Sequence, residues 1–394
     1  GPWFIYGIMA VGVLFTVLTK FVQARRIKDM FVLMFKGNKS EKGISSFQAL
    51  SIALSGRVGT GNIAGTATAI AMGGPGAVFW MWLIAFIGSA TAYVESTLAQ
   101  IYKEEKETEY RGGPAFYIEK GMGKNFKWLA KLFCVFGTMV GLFGIGTFTQ
   151  VNGITSAVNN FFDPSNIHTI SLFGMNYSIS VVVAGIIVTI CAGLVIIGGI
   201  KRISKVSEVI VPFMAVTYIG VCLIIVFTHL PQVPVAFAEI VQSAFGLKAV
   251  AGGAIGAMTV AMQKGIARGI FSNEAGLGSA PIAAAAAQTN EPVRQGLVSM
   301  TGTFIDTIIV CTMTGLAIVM TGAWDMGLEG VAVTTKAFAL GLPFPAKVSA
   351  FILMMCLVFF AFTTILGWAY YSERCLEYLV NGKKFVITAF KWLY

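Results

Sequence analysis

The sequence predicts an all-α protein embedded in a membrane, on three observations. Hydrophobic residues fill 56% of its 394 positions and charged residues only 12%, with a mean hydropathy of +0.78, whereas soluble domains carry about 25% charged residues. The apolar residues are gathered into runs of the length that an α-helix needs to cross about 30 Å of hydrocarbon, roughly 20 residues. The basic residues gather in every second loop between those runs, the pattern produced when Lys and Arg are retained on the cytoplasmic side.

Composition also removes several classes. The 45 glycines have no period, and Phe, Ile and Val are abundant, so neither a collagen-like nor a disordered chain fits. A net charge of +10 would suggest nucleic acid for a soluble protein, but here it is confined to loops between apolar spans and no nucleic-acid partner is expected. The six cysteines (Cys134, Cys191, Cys222, Cys311, Cys356 and Cys375) show no CxxC spacing and no grouping with either histidine, and read as packing residues.

In chain order the apolar runs lie near 3–24, 47–72, 76–101, 128–158, 178–199, 206–228, 234–268, 296–322 and 347–371, and a last one begins near 385. No linker separates a soluble part, so residues 1–394 form one transmembrane domain. The 25–46 loop carries Arg25, Arg26, Lys28, Lys36, Lys39 and Lys42, and the 102–127 loop carries Lys103, Lys106, Arg111, Lys120, Lys124 and Lys127. Loops of the other set, 159–177 and 229–247, hold no Lys or Arg before Lys248, and 323–346 has only Lys336. Each run then crosses once, in a multi-pass protein of the cell membrane with its N-terminus outside. Residues 3–24 do not read as a signal peptide, because the charges follow the run and no small-residue cleavage site is evident. The last run stops at Tyr394 after about ten residues, too few to span, and the natural protein is expected to continue past both ends.

The most informative segment is Ser55-Gly56-Arg57-Val58-Gly59-Thr60-Gly61-Asn62-Ile63-Ala64-Gly65, in the middle of the 47–72 run. Small residues alone serve close helix packing. Arg57 and Asn62 in the same turns call for more, because a charge at mid-membrane is usually functional. A helix unwound over 55–62 offers amides to a carboxylate and carbonyls to a cation, with the positive end of its second half toward the anion.

Here the sequence resembles the alanine or glycine:cation symporters (sodium/alanine symporters) of the amino acid, polyamine and organocation superfamily. The likeness covers essentially the whole chain and rests on GRVGTGNIAG at 56–65, EYRGGPAFYIEKGMG at 109–123, ARGIFSNEAGLGSAP at 267–281 and AFTTILGWAYYSERC at 361–375. It implies a five-plus-five inverted-repeat core with discontinuous first and sixth helices, preceded by an extra helix (3–24). On that mapping the core occupies 47–394 and lacks its C-terminal part, with first helix 47–72, sixth 234–268 and eighth 347–371.

The resemblance implies a small amino acid substrate, alanine or glycine, and a coupling cation, sodium or else a proton, with no cofactor. It assigns the backbone N–H groups of Thr60 and Gly61, with Asn62, to the substrate. The carbonyls of Ser55 and Val58 and the hydroxyls of Thr363 and Thr364 are assigned to the cation. Read without the resemblance, the two threonines can equally be bonding back to their own helix. Arg57 stands where related carriers tend to have a small residue and a second sodium, so one cation site is expected, and Asp306 is the expected counter-charge; Glu95 and Glu208 lie nearer the cytoplasmic ends. Counting about ten residues outward from Arg268 places the sixth-helix break at Gly252, Gly253 and Gly256. Gln150 and Trp368 are candidate pocket walls.

Two other classes fit less well. A membrane enzyme needs a catalytic constellation at membrane depth, but His168 and His229 fall in outer loops and no HExxH or GxSxG occurs. An ion channel would repeat its filter or assemble several subunits, whereas the glycine-rich motif occurs once. A proton-coupled permease or exchanger of the same fold is the nearer alternative.

Overall fold

The computed structural model describes residues 2–36, 43–106, 109–172, 174–247 and 253–394. Its apolar runs are helical because hydrocarbon offers no water to unpaired backbone groups. Helix α1 (Pro2–Leu18) leads through Phe21, at φ 56°, into the short α2 (Val22–Arg25) and α3 (Ile27–Phe35), which buries Met30 and Met34 one turn apart. Ser45 and Gln48 form a capping box that starts α4 (Ser46–Arg57). A π-helical turn (Gly61–Gly65) and α5 (Thr66–Gly73) complete that crossing, and α6 (Ala77–Ile101) returns.

An antiparallel hairpin, β1 (Glu104–Lys106) and β2 (Glu109–Arg111), precedes α7 (Pro114–Gly121). Next, α8 (Lys127–Phe143) and α9 (Phe148–Phe162) form one long crossing, kinked at residues 144–147 where Gly144 leaves helical geometry. A second hairpin, β3 (Thr169–Leu172) with β4 (Met175–Ser178), leads to α10 (Ile179–Ile196) and α11 (Gly199–Thr228). The remaining helices are α12 (Val233–Ala244), α13 (Ala254–Asn273), α14 (Ala280–Ala285), α15 (Pro292–Thr303), a π-helical stretch (Phe304–Cys311), α16 (Thr312–Met320), α17 (Val331–Gly341), α18 (Ala346–Leu379) and α19 (Lys384–Leu393).

Among the described residues, six helical stretches are long and apolar enough to cross a membrane. Burial sorts them into two groups. The apolar window of residues 292–320 is 72% buried, that of α6 61% and that of α18 56%, against 22% for 124–162, 22% for α10 and 28% for α11. The first group is packed around the interrupted crossings 46–73 and 254–285, and the second exposes most of its surface, as helices facing lipid must. The two interrupted crossings run antiparallel: Ile44, just before α4, pairs with Ala286 and Gln288, just after α14.

The run 234–268 does not form one crossing. Pro231 and Pro234 open the short α12, whose 12 residues span about 18 Å, too little for hydrocarbon. Gly246, at φ 66°, turns the chain away from α12. The crossing begins at Ala254, passes Lys264 and Arg268 and continues through α14, so neither basic residue lies in a loop. Hydropathy fused two helices and clipped the end of the second because Arg268, Ser272, Asn273 and Glu274 interrupt the apolar run before α14.

Candidate functional site

The first break is narrower than 55–62. Ser55, Gly56 and Arg57 remain in α4, closed by the Val58 N–H donating to Leu54 O at 2.7 Å, and Val58 then turns extended (φ −77°, ψ 91°). The Gly59 N–H donates to Asn62 Oδ1 at 2.9 Å instead of to Ser55, which leaves the Ser55 carbonyl without its helical partner. Among the described residues nothing accepts from the N–H of Thr60 or Gly61. Glycine is required at 59 because a Cβ there would stand 2.4 Å from Thr364 Oγ1.

Asn62 was expected at the substrate, but its side chain is fully buried and committed elsewhere. Its Nδ2 donates to Asp306 Oδ1 at 2.7 Å and to Asp306 O at 3.2 Å. The other carboxylate oxygen of Asp306 accepts from Ser272 Oγ and from Thr307 Oγ1, both at 2.8 Å. Asp306, in the π-helical stretch of residues 292–320, thus ties the first interrupted crossing to the end of α13.

Arg57 and Asp306 are both buried, as expected for the intramembrane charges, but they form no ion pair. Arg57 Nη1 reaches Ser299 O at 3.5 Å and Thr303 Oγ1 at 3.4 Å, while its Nε and Nη2 have no partner among the described residues. Glu95, Glu274 and Asp306 all lie within its electrostatic reach. Glu208 sits apart, accepting from Gln48 Nε2 at 2.9 Å.

The second break lies at residues 274–279. Helix α13 ends where Glu274 adopts φ 54°, a left-handed conformation uncommon outside glycine. Asn273 Oδ1 accepts from the Ala275 N–H at 3.0 Å, a turn typical of Asn. Glu274 Oε2 accepts from Ser279 Oγ at 2.6 Å, and Glu95 Oε2 accepts from the Gly276 N–H at 3.2 Å. The expected break at Gly252 and Gly253 is not here: Gly253 is an exposed cap at the far end of α13, about 30 Å along the helix, Gly256 is also exposed, and Gly252 lies outside the described residues.

Several side chains converge on the first break. Gln150 is buried, donates Nε2 to Ile145 O at 3.1 Å and has no partner for Oε1 among the described residues, that oxygen lying 3.5 Å from where a Gly59 Cβ would be. Thr364 is fully buried, its Oγ1 3.5 Å from Val58 O and 2.9 Å from Phe360 O. Thr363 points elsewhere, to Met214 Sδ of α11 at 3.3 Å and back to Phe359 and Phe360. Only one hydroxyl of the pair faces the break, because neighbours on a helix diverge by about 100°. Trp368 is buried, its ring edge-on to Tyr371, whose hydroxyl has no hydrogen-bond partner among the described residues and lies against Gly56.

Sequence reasoning missed Phe271, which packs beside Gly61, as well as Glu274 and Tyr371. All three lie in the segments 267–281 and 361–375 already singled out, so their location, though not their role, was available. The two ends of the break differ in burial. At the basic end, residues 280–287 are buried, and Gln100 Nε2 clamps the carbonyls of Ala284 (2.5 Å) and Ala287 (2.9 Å). Toward the other end, Gly61, Ala64, Thr68, Arg268 and Phe271 are partly exposed, and Asn152 and Ser156 of α9 are exposed.

The model of the Sodium:alanine symporter family matches residues 1–394. The chain is 42% identical over 407 residues to the sodium/alanine symporter AgcS of Methanococcus maripaludis, covering 99% of this chain and 85% of that one. It is 45% identical over 393 residues to the putative sodium/proton-dependent alanine carrier protein YrbD of Bacillus subtilis (96% and 76% covered). It is 42% identical over 383 residues to the probable sodium/glutamine symporter GlnT of the same organism (96% and 75% covered). The chain belongs to the sodium:alanine symporter family, a family of cation-coupled amino acid transporters.

Proposed function

We propose that the chain imports small amino acids, alanine and glycine, by symport with sodium through alternating access. The observation that carries this reading is the pairing of opposite backbone groups at one break. The unpaired N–H groups of Thr60 and Gly61 suit a substrate carboxylate, and the freed carbonyls of Ser55 and Val58 suit a hard cation beside the Thr364 hydroxyl. The unpaired Gln150 Oε1 is placed to accept from the substrate ammonium, with Trp368 and Phe271 closing the pocket around a short side chain. Asn62 and Asp306 hold the break open and touch no ligand. Thr363 supports α18 against α11.

The antiparallel run of the two interrupted crossings supports an inverted-repeat core, and the basic loops support an N-terminus outside. The buried basic end and the partly exposed opposite side of the break support an outward-facing reading of this conformation.

Proton coupling is the second reading, favoured by the carriers named sodium/proton-dependent among the relatives, and a glutamine symporter among them widens the substrate range to be tested. The test is alanine uptake into proteoliposomes under separate sodium and proton gradients, with glycine, glutamine and leucine as competitors. Uptake driven by sodium, with competition by glycine and not by leucine, supports the proposal. Uptake driven by protons alone, or leucine competing as well as glycine, overturns it. Counterflow of labelled alanine separates a carrier from a channel.

A further inference from the structure

The end of the molecule that carries the basic loops holds a cavity of about 700 Å³, walled by the β1–β2 hairpin, α7, the start of α8 and the end of α18. Its carboxylates are already engaged. Glu104 meets Lys120 at 2.9 Å, Glu119 meets Lys127 at 2.7 Å, and Glu377 meets Arg374 at 2.7 Å and also Arg111. Lys124 and Lys131 line the same cavity, both exposed, and among the described residues neither has a hydrogen bond or an ion pair. Two ammonium groups, Lys124 in the turn just before α8 and Lys131 in the first turns of α8, thus face a cavity whose lining acids are all engaged.

The same helix carries an apolar stripe. Trp128, Leu132, Val135, Phe136, Met139 and Phe143 are all exposed and recur at the three- and four-residue spacing that keeps them on one face. The stripe begins beside Lys124 and Lys131 with a tryptophan, the residue enriched where hydrocarbon meets headgroups. An inorganic phosphate has no use for such a stripe. An acyl chain laid along it carries its headgroup to the lysines.

We propose that this cavity binds the phosphate of an anionic phospholipid, with Lys124 and Lys131 as its ligands and the α8 stripe holding an acyl chain. A basic pocket between transmembrane helices at headgroup level is the chemistry that selects anionic lipids. No residue lining this cavity is among those placed at the substrate break, so the proposal stands or falls separately from the transport reading.

The experiment is thermal unfolding of the full chain in a neutral detergent, titrated with phosphatidylglycerol, phosphatidylcholine or inorganic phosphate. Phosphatidylglycerol is expected to raise Tm, and the other two are not. In K124Q/K131Q the phosphatidylglycerol concentration giving half the shift rises by about 25-fold, because each lysine near the surface contributes about 1 kcal/mol, or about fivefold. The control K201Q/K205Q, which removes two exposed lysines at the start of α11, leaves the curve in place. Because these lysines are exposed, both variants are expected to fold. An unchanged response in K124Q/K131Q, an equal rise with phosphatidylcholine, or an equal effect of inorganic phosphate overturns the proposal.

Discussion

Asn62 Nδ2 donates to Asp306 Oδ1 at 2.7 Å, across 244 residues of sequence, while Asn62 Oδ1 accepts from the Gly59 N–H at 2.9 Å. One amide side chain therefore caps the unwound turn and anchors it to a buried carboxylate. Asn62→Ala leaves the Gly59 N–H and one Asp306 oxygen unpaired, at a cost of about 2–4 kcal/mol for two buried groups. The expected outcome is a lowered Tm in detergent and a fall in transport rate at all substrate concentrations. A variant with wild-type Tm contradicts the anchoring role.

Thr363 and Thr364 are predicted to separate. Thr364→Val removes the hydroxyl beside Val58 O and shifts half-maximal sodium activation about tenfold upward, the equivalent of about 1.4 kcal/mol. Linkage requires alanine affinity at fixed sodium to fall with it. Thr363→Val leaves sodium dependence unchanged. Gly59→Ala forces its Cβ into Thr364 and costs about 1–3 kcal/mol by overpacking, and adding Thr364→Ala restores stability without restoring the sodium response. Sodium-dependent uptake by the four variants decides the point.

Gln150 carries an unpaired buried oxygen beside the free amides. Gln150→Leu keeps the approximate volume and removes that acceptor, so KM for alanine is expected to rise by about tenfold or more, the range of a hydrogen bond to a charged group. Equal KM in proteoliposome uptake removes Gln150 from the substrate.

Outside the crossings, burial pushes the Glu109 carboxyl up, but hydrogen bonds and charge from Arg374 and Arg111 outweigh it and hold the carboxyl below its usual range. A depressed carboxylate stabilises the fold above its unfolded value of about 4.3 and loses that contribution as pH falls through the lower folded value. Tm measured from pH 7 down to pH 3 is expected to drop more steeply for the wild type than for Glu109→Gln, whose curve starts lower. Parallel curves contradict the assignment.

The sequence by itself determined the membrane, most of the crossings and the place of the first break. Lipid exposure and backbone pairing are local requirements, and each 20-residue run satisfies or fails them alone. Gly59 and Gly61 marked the break because backbone leaves a helix at membrane depth only with a purpose. The second break was not legible by the same rule. Gly253 and Gly256 imitate the pattern at an exposed helix start, while the true break is made by Asn273 and Glu274 holding their own turn.

Tertiary structure alone decided which polar groups meet. Asp306 is taken by Asn62, Ser272 and Thr307, so Arg57 is left to the Ser299 carbonyl and the Thr303 hydroxyl. Thr364 faces Val58 and Thr363 faces Met214 because the rotation of α18 about its axis is fixed by packing against α4, α9 and α11. A one-dimensional pattern places a hydroxyl at a depth, but its direction depends on the neighbours that bury it, and those are supplied by segments as far as 306 residues away.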